Sequence, residues 1–589
     1  MLMRRITFAL ATAAALAIAT PAAAGPAEDF HALMDEYWAE LLRSSPTTAT
    51  YAGVSTYDAQ LDVLSLAEMD RQAAKAAEFL KRLDAIPAAS LSPADQANRA
   101  ILRRGLETAI EGNRFGQRQM LYSILGSQQD FYAGLGENQP FRTSADYENY
   151  LKRLSFVPDR MRAYGEISVK AASEGYTQPC VTLTRFPETI RANIAADPAK
   201  SRFYAPFAAT KPASITDAEW SSLKDRAAAL IRDQINPSYR RFAELYDSQL
   251  ASKCRKDVGV SSLPQGKEYY AFLVRAHTTT TLTPDEIHAL GLREVARIRA
   301  EMVEVATKAG FPSREAMIAD MRTNPKYFAR TADELLAASS AMAKTIDGKM
   351  PSLFTRLPRL PYGIRPMPAA TAPGDTTARY QPGSPDAGVA GFYLVNTTKL
   401  DQRPLWEIPA LTVHEAVPGH HMQIATQQEL EMPAWRKYAA FFTAFVEGWG
   451  LYSERLGIEL GIYDTPQKNM GRLGYEMWRA ARLVVDTGIH SKGWSKEQAV
   501  AFMRDNTTLT DANIDAEVNR YISNPGQALA YKLGELKIRE LRTKAEKELG
   551  DKFDLRRFHD AVLGQGSVPL DALEAQINAW ISSEKQRPS

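Results

Sequence analysis

Apolar residues recur at three- and four-residue spacing, with charges between them, over 26–45, 64–85 and 92–113. That period stacks the apolar side chains on one face of an α-helix. The same spacing returns over 145–174, 216–250, 284–308 and 332–347. Two start signals sharpen the reading. Thr283-Pro284-Asp285-Glu286 places a capping hydroxyl before a first-turn proline and two first-turn acids. Ser92, ahead of Pro93-Ala94-Asp95, offers a similar start, with Ser90 as the alternative cap.

The helical period fails between about 350 and 390. Eight prolines, from Pro351 to Pro385, and the glycines 363, 374, 383 and 388 exclude a continuous helix there. Gly391 to Thr397 then reads as a short strand. Helical spacing resumes near 404 and runs to the C-terminus, including an amphipathic helix expected over about 432–459. The predicted fold is mainly α, a large helical body with a central cleft and a small β element near 391–397. A boundary near 260 would separate an N-terminal helical part, 25–260, from a C-terminal part, 261–589, unless the two pack as one body, 25–589.

The first residues stand apart. Arg4 and Arg5 precede a mostly apolar run from Ile6 to Ala19, and Ala22-Ala23-Ala24 offers a small-residue cleavage site. Residues 1–24 therefore read as a secretory signal, too short in its apolar run for a bilayer span. No cysteine lies near the cleavage site, so the sequence gives no sign of a lipid-modified terminus. A periplasmic or secreted protein, without stable membrane insertion after cleavage, is expected.

Composition narrows the function classes. Charged residues make up 24% and hydrophobic ones 45%, with a net charge of +2 and no clustered basic stripe, which argues against nucleic acid as a partner. The two cysteines, Cys180 and Cys254, have no metal-type spacing; a disulfide between them is left open. Oligomeric state is not legible.

Chemistry concentrates in one segment. His414-Glu415-Ala416-Val417-Pro418-Gly419-His420-His421 holds three of the eight histidines, and Glu447 follows in Phe445-Val446-Glu447-Gly448-Trp449. Two imidazoles, a carboxylate and a separate Glu are the parts of a catalytic zinc site with one open position. The spacing is awkward. Six residues, from His414 to His420, turn a regular helix about 120° off face, and seven, to His421, add roughly 10 Å of rise. Two zinc ligands must lie within about 4 Å of each other. Pro418 cannot donate to the carbonyl of His414, and Gly419 tolerates unusual backbone angles. A two-residue bulge at Pro-Gly would bring His420 onto the ion, with His421 as the alternative second imidazole. The competing reading ends the helix at Val417 and leaves His420 and His421 to cap or solvate the next one. Glu447, among apolar neighbours, is costly to bury without a positive partner. Glu454, seven residues on, is expected to support the site from behind or to be structural.

These residues resemble a known family. The two segments above, Arg482-Leu483-Val484-Val485-Asp486-Thr487-Gly488-Ile489-His490, and the run from Arg520-Tyr521 through Gln527 to Tyr531-Lys532 are similar to the bacterial "domain of unknown function 885" family over nearly the whole mature chain. That family in turn looks related to helical zinc peptidases of the thimet oligopeptidase and angiotensin-converting enzyme type, which carry His-Glu-x-Gly-His and a downstream Glu ligand. The resemblance implies His414, His420 and Glu447 as zinc ligands and Glu415 as the base. The two extra residues before Gly419 depart from those peptidases.

The expected activity is hydrolysis of short peptides by a zinc-activated water, with Glu415 accepting its proton. Arg482, Asp486 and His490 recur every four residues, so a helix would stack them; Asp486 could orient His490 or a ligand histidine. Tyr521 and Tyr531 are candidate oxyanion donors, with His490 as a further catalytic candidate. Arg520 or Lys532 could hold a substrate carboxylate, and Arg482, Gln527 and Tyr393 are further substrate-binding candidates. The strand 391–397 could take an extended peptide by edge addition. The alternatives are a zinc hydrolase of esters or non-peptide amides, a non-catalytic binding protein with a degenerate site, and a metal-free helix pair.

Overall fold

The computed structural model describes residues 25–587 apart from 125, 138, 369–371, 373–375, 386 and 387. The expected signal over 1–24 lies outside the described residues. The architecture is mainly helical with one small sheet, as the periodicity predicts. Helices α1 (Pro26–Ser44), α2 (Leu66–Asp84), α3 (Pro93–Asn113) and α4 (Pro284–Lys308) fall where the apolar spacing puts them. Ser92, rather than Ser90, caps α3 by accepting from the Asp95 amide. Thr283 and Glu286 close a reciprocal capping box on α4. The 145–174 stretch divides into Ser144–Leu154 and Val157–Ser173.

The Pro/Gly-rich stretch carries β1 (Tyr362–Pro366) and β2 (Ala378–Gln381), and β3 (Gly391–Val395) follows it. Strand order is β1-β3-β2, with β3 parallel to β1 and antiparallel to β2. The predicted strand is thus the central one. Both its edges are hydrogen-bonded, so it cannot add a substrate peptide, and Tyr393 is fully buried within it.

Past the sheet run α5 (Ile408–Glu415), α6 (His420–Glu429), α7 (Thr443–Leu456), α8 (Pro466–Lys492), α9 (Asp511–Ser523), α10 (Leu529–Leu549) and α11 (Leu570–Gln586). The helix expected over 432–459 is broken: Ala434–Tyr438 is separate from α7. One core joins Phe30, Leu83 and Leu102 of α1–α3 to Trp449, Ile538 and Ile577 of α7, α10 and α11. A second unites α4, β3, α5, α8 and α9. A third, from Tyr122 to Leu250 with Leu61, belongs to the intervening helices. Helices α1–α3 of the N-terminal part therefore share a core with the C-terminal part. Cys180 and Cys254 form a disulfide beside the third core.

Candidate metal centre

The site grows from a buried break between two helices. All eight residues of α5 are buried; its apolar run Ile408–Val413 delivers His414 and Glu415 at the C-terminal end. The chain then turns through 416–419 and restarts as α6 with His420 at its first position. The remedy for the awkward spacing is a full break rather than a bulge within one helix. Gly419 is required there: a Cβ would stand 1.9 Å from the His414 carbonyl oxygen. Trp449 Nε1 donates to the Pro418 carbonyl at 2.7 Å and ties the break to α7. Gly450 leaves room for the His414 ring, since a Cβ there would lie 2.8 Å from it.

Glu447 on α7 faces both imidazoles. Its Oε2 lies 3.4 Å from His420 Nε2 and 3.8 Å from His414 Nε2, and one ligand atom from each of the three residues lies within 4.8 Å of the others. Ligands ~2.0–2.1 Å from one tetrahedral zinc stand roughly 3.3 Å apart, so the spacing suits such an ion. Glu447 Oε2 and His420 Nδ1 are buried without a hydrogen-bond partner. A buried carboxylate oxygen left so is costly, and a cation would satisfy it. The donor set therefore fits zinc.

Outer residues fix the triad. His414 Nδ1 is 2.8 Å from Glu454 Oε1, which turns Nε2 toward Glu447. Arg479 meets the same Glu454 oxygen at 3.2 Å and lies over the Trp478 ring. Glu454 thus stands behind His414 on the side away from Glu447. Burial alone would lower the His414 pKa, but Glu447 and Glu454 push it up to about 9. Burial raises that of Glu447, yet the two imidazoles hold it well below the usual carboxylate range. Glu415 is 8% exposed and directly follows His414.

The remaining candidates are placed unevenly. His421 is turned away: Nε2 meets the Leu360 carbonyl at 3.0 Å and Nδ1 the Tyr380 hydroxyl at 2.9 Å. Tyr531 stacks on His414 with ring centres 6.4 Å apart. Arg520 donates to the Tyr531 oxygen at 3.0 Å and to Gln527 Oε1 at 2.7 Å. Tyr521 is saturated, accepting from Trp478 Nε1 and Arg482 Nε and donating to Glu517, so it has nothing left for an oxyanion. His490 has both nitrogens on backbone, Nδ1 accepting from Val260 and Nε2 meeting the Tyr521 carbonyl. Asp486 orients neither His490 nor a ligand histidine; it accepts from the Tyr270 hydroxyl and the Gly526 amide. Lys532 is fully buried against Glu294, Glu476 and Glu535 and cannot reach a substrate. Arg482 is 1% exposed. Arg520 lines a cleft of about 1480 Å³ whose other walls include Tyr51, Phe131, Arg185, Arg403 and Asp515; His414, Glu415, His420 and Glu447 are not among its lining residues. Sequence reasoning missed Arg479, which had no motif to mark it.

Across residues 46–577 the chain matches the family described as "Bacterial protein of unknown function (DUF885)", and it belongs to that family. A crystal structure described as that of a "putative lipoprotein" from Colwellia psychrerythraea is 27% identical, covering 95% of this chain and 100% of that one, with a TM-score of 0.89. A "putative lipoprotein of unknown function" from Shewanella oneidensis shares the fold at 19% identity, covering 94% of this chain and 100% of that one, with a TM-score of 0.65. No curated protein matches the chain.

Proposed function

We propose that this protein is an exported zinc-dependent peptidase acting on short peptides. The observation that carries the reading is the His414–His420–Glu447 triad, with its unpartnered carboxylate oxygen and an adjacent Glu415. A metal-storage or structural site has no use for that extra carboxylate. When bound, the ion supplies Lewis acidity toward a carbonyl and makes water nucleophilic near neutral pH. Glu415 accepts the water proton at its carboxylate and passes it to the leaving amine. Tyr531 accepts from Arg520, so its own hydroxyl hydrogen remains for the developing oxyanion. Glu454 keeps His414 in the tautomer that presents Nε2.

Export rests on three supports: the leader-like residues 1–24, the Cys180–Cys254 disulfide, which suits an oxidising compartment, and the similar Colwellia psychrerythraea protein, described as a "putative lipoprotein". Among the described residues no helix is long and apolar enough to cross a membrane.

The test is cleavage of a mixed peptide library by the zinc-loaded mature chain and by Glu415→Gln. The native chain should cut peptides; the variant should keep its zinc and lose roughly 10²–10⁴-fold in rate. Full activity in Glu415→Gln, or no cleavage by zinc-loaded native chain, would reject the reading.

A further inference from the structure

We infer that Arg520, on the cleft wall and one tyrosine away from His414, forms a carboxylate-binding subsite, so that the preferred substrates carry an anionic group. The inference rests on the peptidase reading of the triad and adds the class of substrate.

Charge balance is the first ground. Arg482 and Arg520 share one carboxylate, Glu517, at 2.9 and 3.3 Å. Among the described residues no other carboxylate makes an ion pair with either guanidinium. Two positive charges against one negative leave a surplus in a low-dielectric wall, which an incoming carboxylate would neutralise. Arg482 Nη1 is also buried without a hydrogen-bond partner. Its guanidinium packs between the Trp478 and Tyr531 rings, at 4.5 and 4.3 Å from their centres. Arg482 is too buried to meet a ligand, so it acts as the charge behind Arg520 rather than as the contact.

Placement is the second ground. Arg520 lines the large cleft, and its Nη2 touches the hydroxyl of Tyr531, whose ring stacks on His414. One side chain separates the guanidinium from a metal ligand. Gln527 and Glu517 hold the guanidinium in place from behind. Lys532, the other basic candidate, is spent on three carboxylates. The carboxylate could be the C-terminus of a peptide or an acidic side chain; both present the same group.

Calorimetric titration separates these sources. The probes are N-acetylphenylalanine against its amide, and the α-amide of N-acetylglutamate against that of N-acetylglutamine. They are titrated into zinc-loaded Glu415→Gln, which cannot turn them over, and into native chain stripped of metal. We expect at least one acid to bind about tenfold or more tighter than its neutral partner. The pair showing the preference identifies the source. Arg520→Gln should erase it, and Arg520→Lys should keep part of it. Equal binding of acid and neutral probes overturns the subsite. So does a preference that survives Arg520→Gln, since the metal would then be the acceptor. A preference that persists in the stripped chain and vanishes in Arg520→Gln upholds the subsite even if the peptidase reading fails.

Discussion

Lys532 is fully buried with Nζ 2.9–3.1 Å from three carboxylates, and Arg297 joins the same cluster through Glu476. Removing the ammonium would leave the three carboxylates to share Arg297, Arg472 and Arg539; breaking a buried ion pair typically costs about 3–5 kcal/mol. Lys532→Met is therefore expected to lower unfolding free energy by about that amount, measured by denaturant titration; a loss below 1 kcal/mol would contradict the placement. Glu454→Gln should act on the metal instead. Losing the carboxylate behind a ligand imidazole typically weakens metal binding about 10–100-fold, readable by competition with a chelator. In sequence, Lys532, Tyr521 and His490 look as available for chemistry as Tyr531 and Arg520. Residue type and spacing show what a side chain can do, but not that Glu517, Glu476 or a backbone carbonyl has already engaged it. His414, Glu415, His420 and Glu447 were legible because their density in a histidine-poor chain has no cheaper explanation.

Acid sensitivity follows from buried groups of both signs. Burial pushes His277, His490 and His559 down to about 4, 4 and 3 from 6.5. Unfolding lets them take up protons below pH 6.5, so stability is complete above that pH and is lost as pH falls toward 4. Burial pushes Glu407 and Asp486 up to about 7. Their contribution has the opposite sign: it is complete below the unfolded carboxylate pKa, near 4, and is lost as pH rises through 7. His421 is pushed down to about 4 as well, so four imidazoles oppose two carboxyls. Stability should therefore fall steadily as pH drops from about 6.5 to 4.5. Unfolding midpoints across pH 3.5–7 check this; midpoints unchanged between pH 6.5 and 4.5 would contradict it.

The α5–α6 break decides whether the site exists. Gly419→Ala would press a methyl into the carbonyls of Val413 and His414, at 2.4 and 1.9 Å. It should cost both stability and metal affinity, whereas His421→Gln should leave the metal in place. A Gly419→Ala protein with native zinc content would contradict the close approach. The α7–α10 crossing imposes a similar limit, since a Cβ on Gly534 would meet the Ala444 carbonyl at 1.8 Å. At this scale the helices were legible from period and caps, as 284–308 shows. The break was legible only as trouble: Pro-Gly marks a disruption, but tertiary contacts such as Trp449 to Pro418 decide its shape. Likewise the strand at 391–395 was visible, while its central place depended on β1 and β2, which lie within proline-rich sequence.

Across the whole molecule, one core joins α1–α3 to α7, α10 and α11. Burial periodicity predicts which face of a helix is apolar, not which distant helix covers it. The disulfide closes a span of 74 residues around the third core. Its removal in Cys180→Ser/Cys254→Ser should cost about 2–5 kcal/mol while leaving zinc content unchanged, because the metal centre lies in α5–α7. The most direct measurement is elemental mass spectrometry of the untagged mature chain. The account predicts about one zinc per chain, lost in His420→Ala and kept in His421→Ala. No zinc after reconstitution, or zinc retained in His420→Ala, would contradict it.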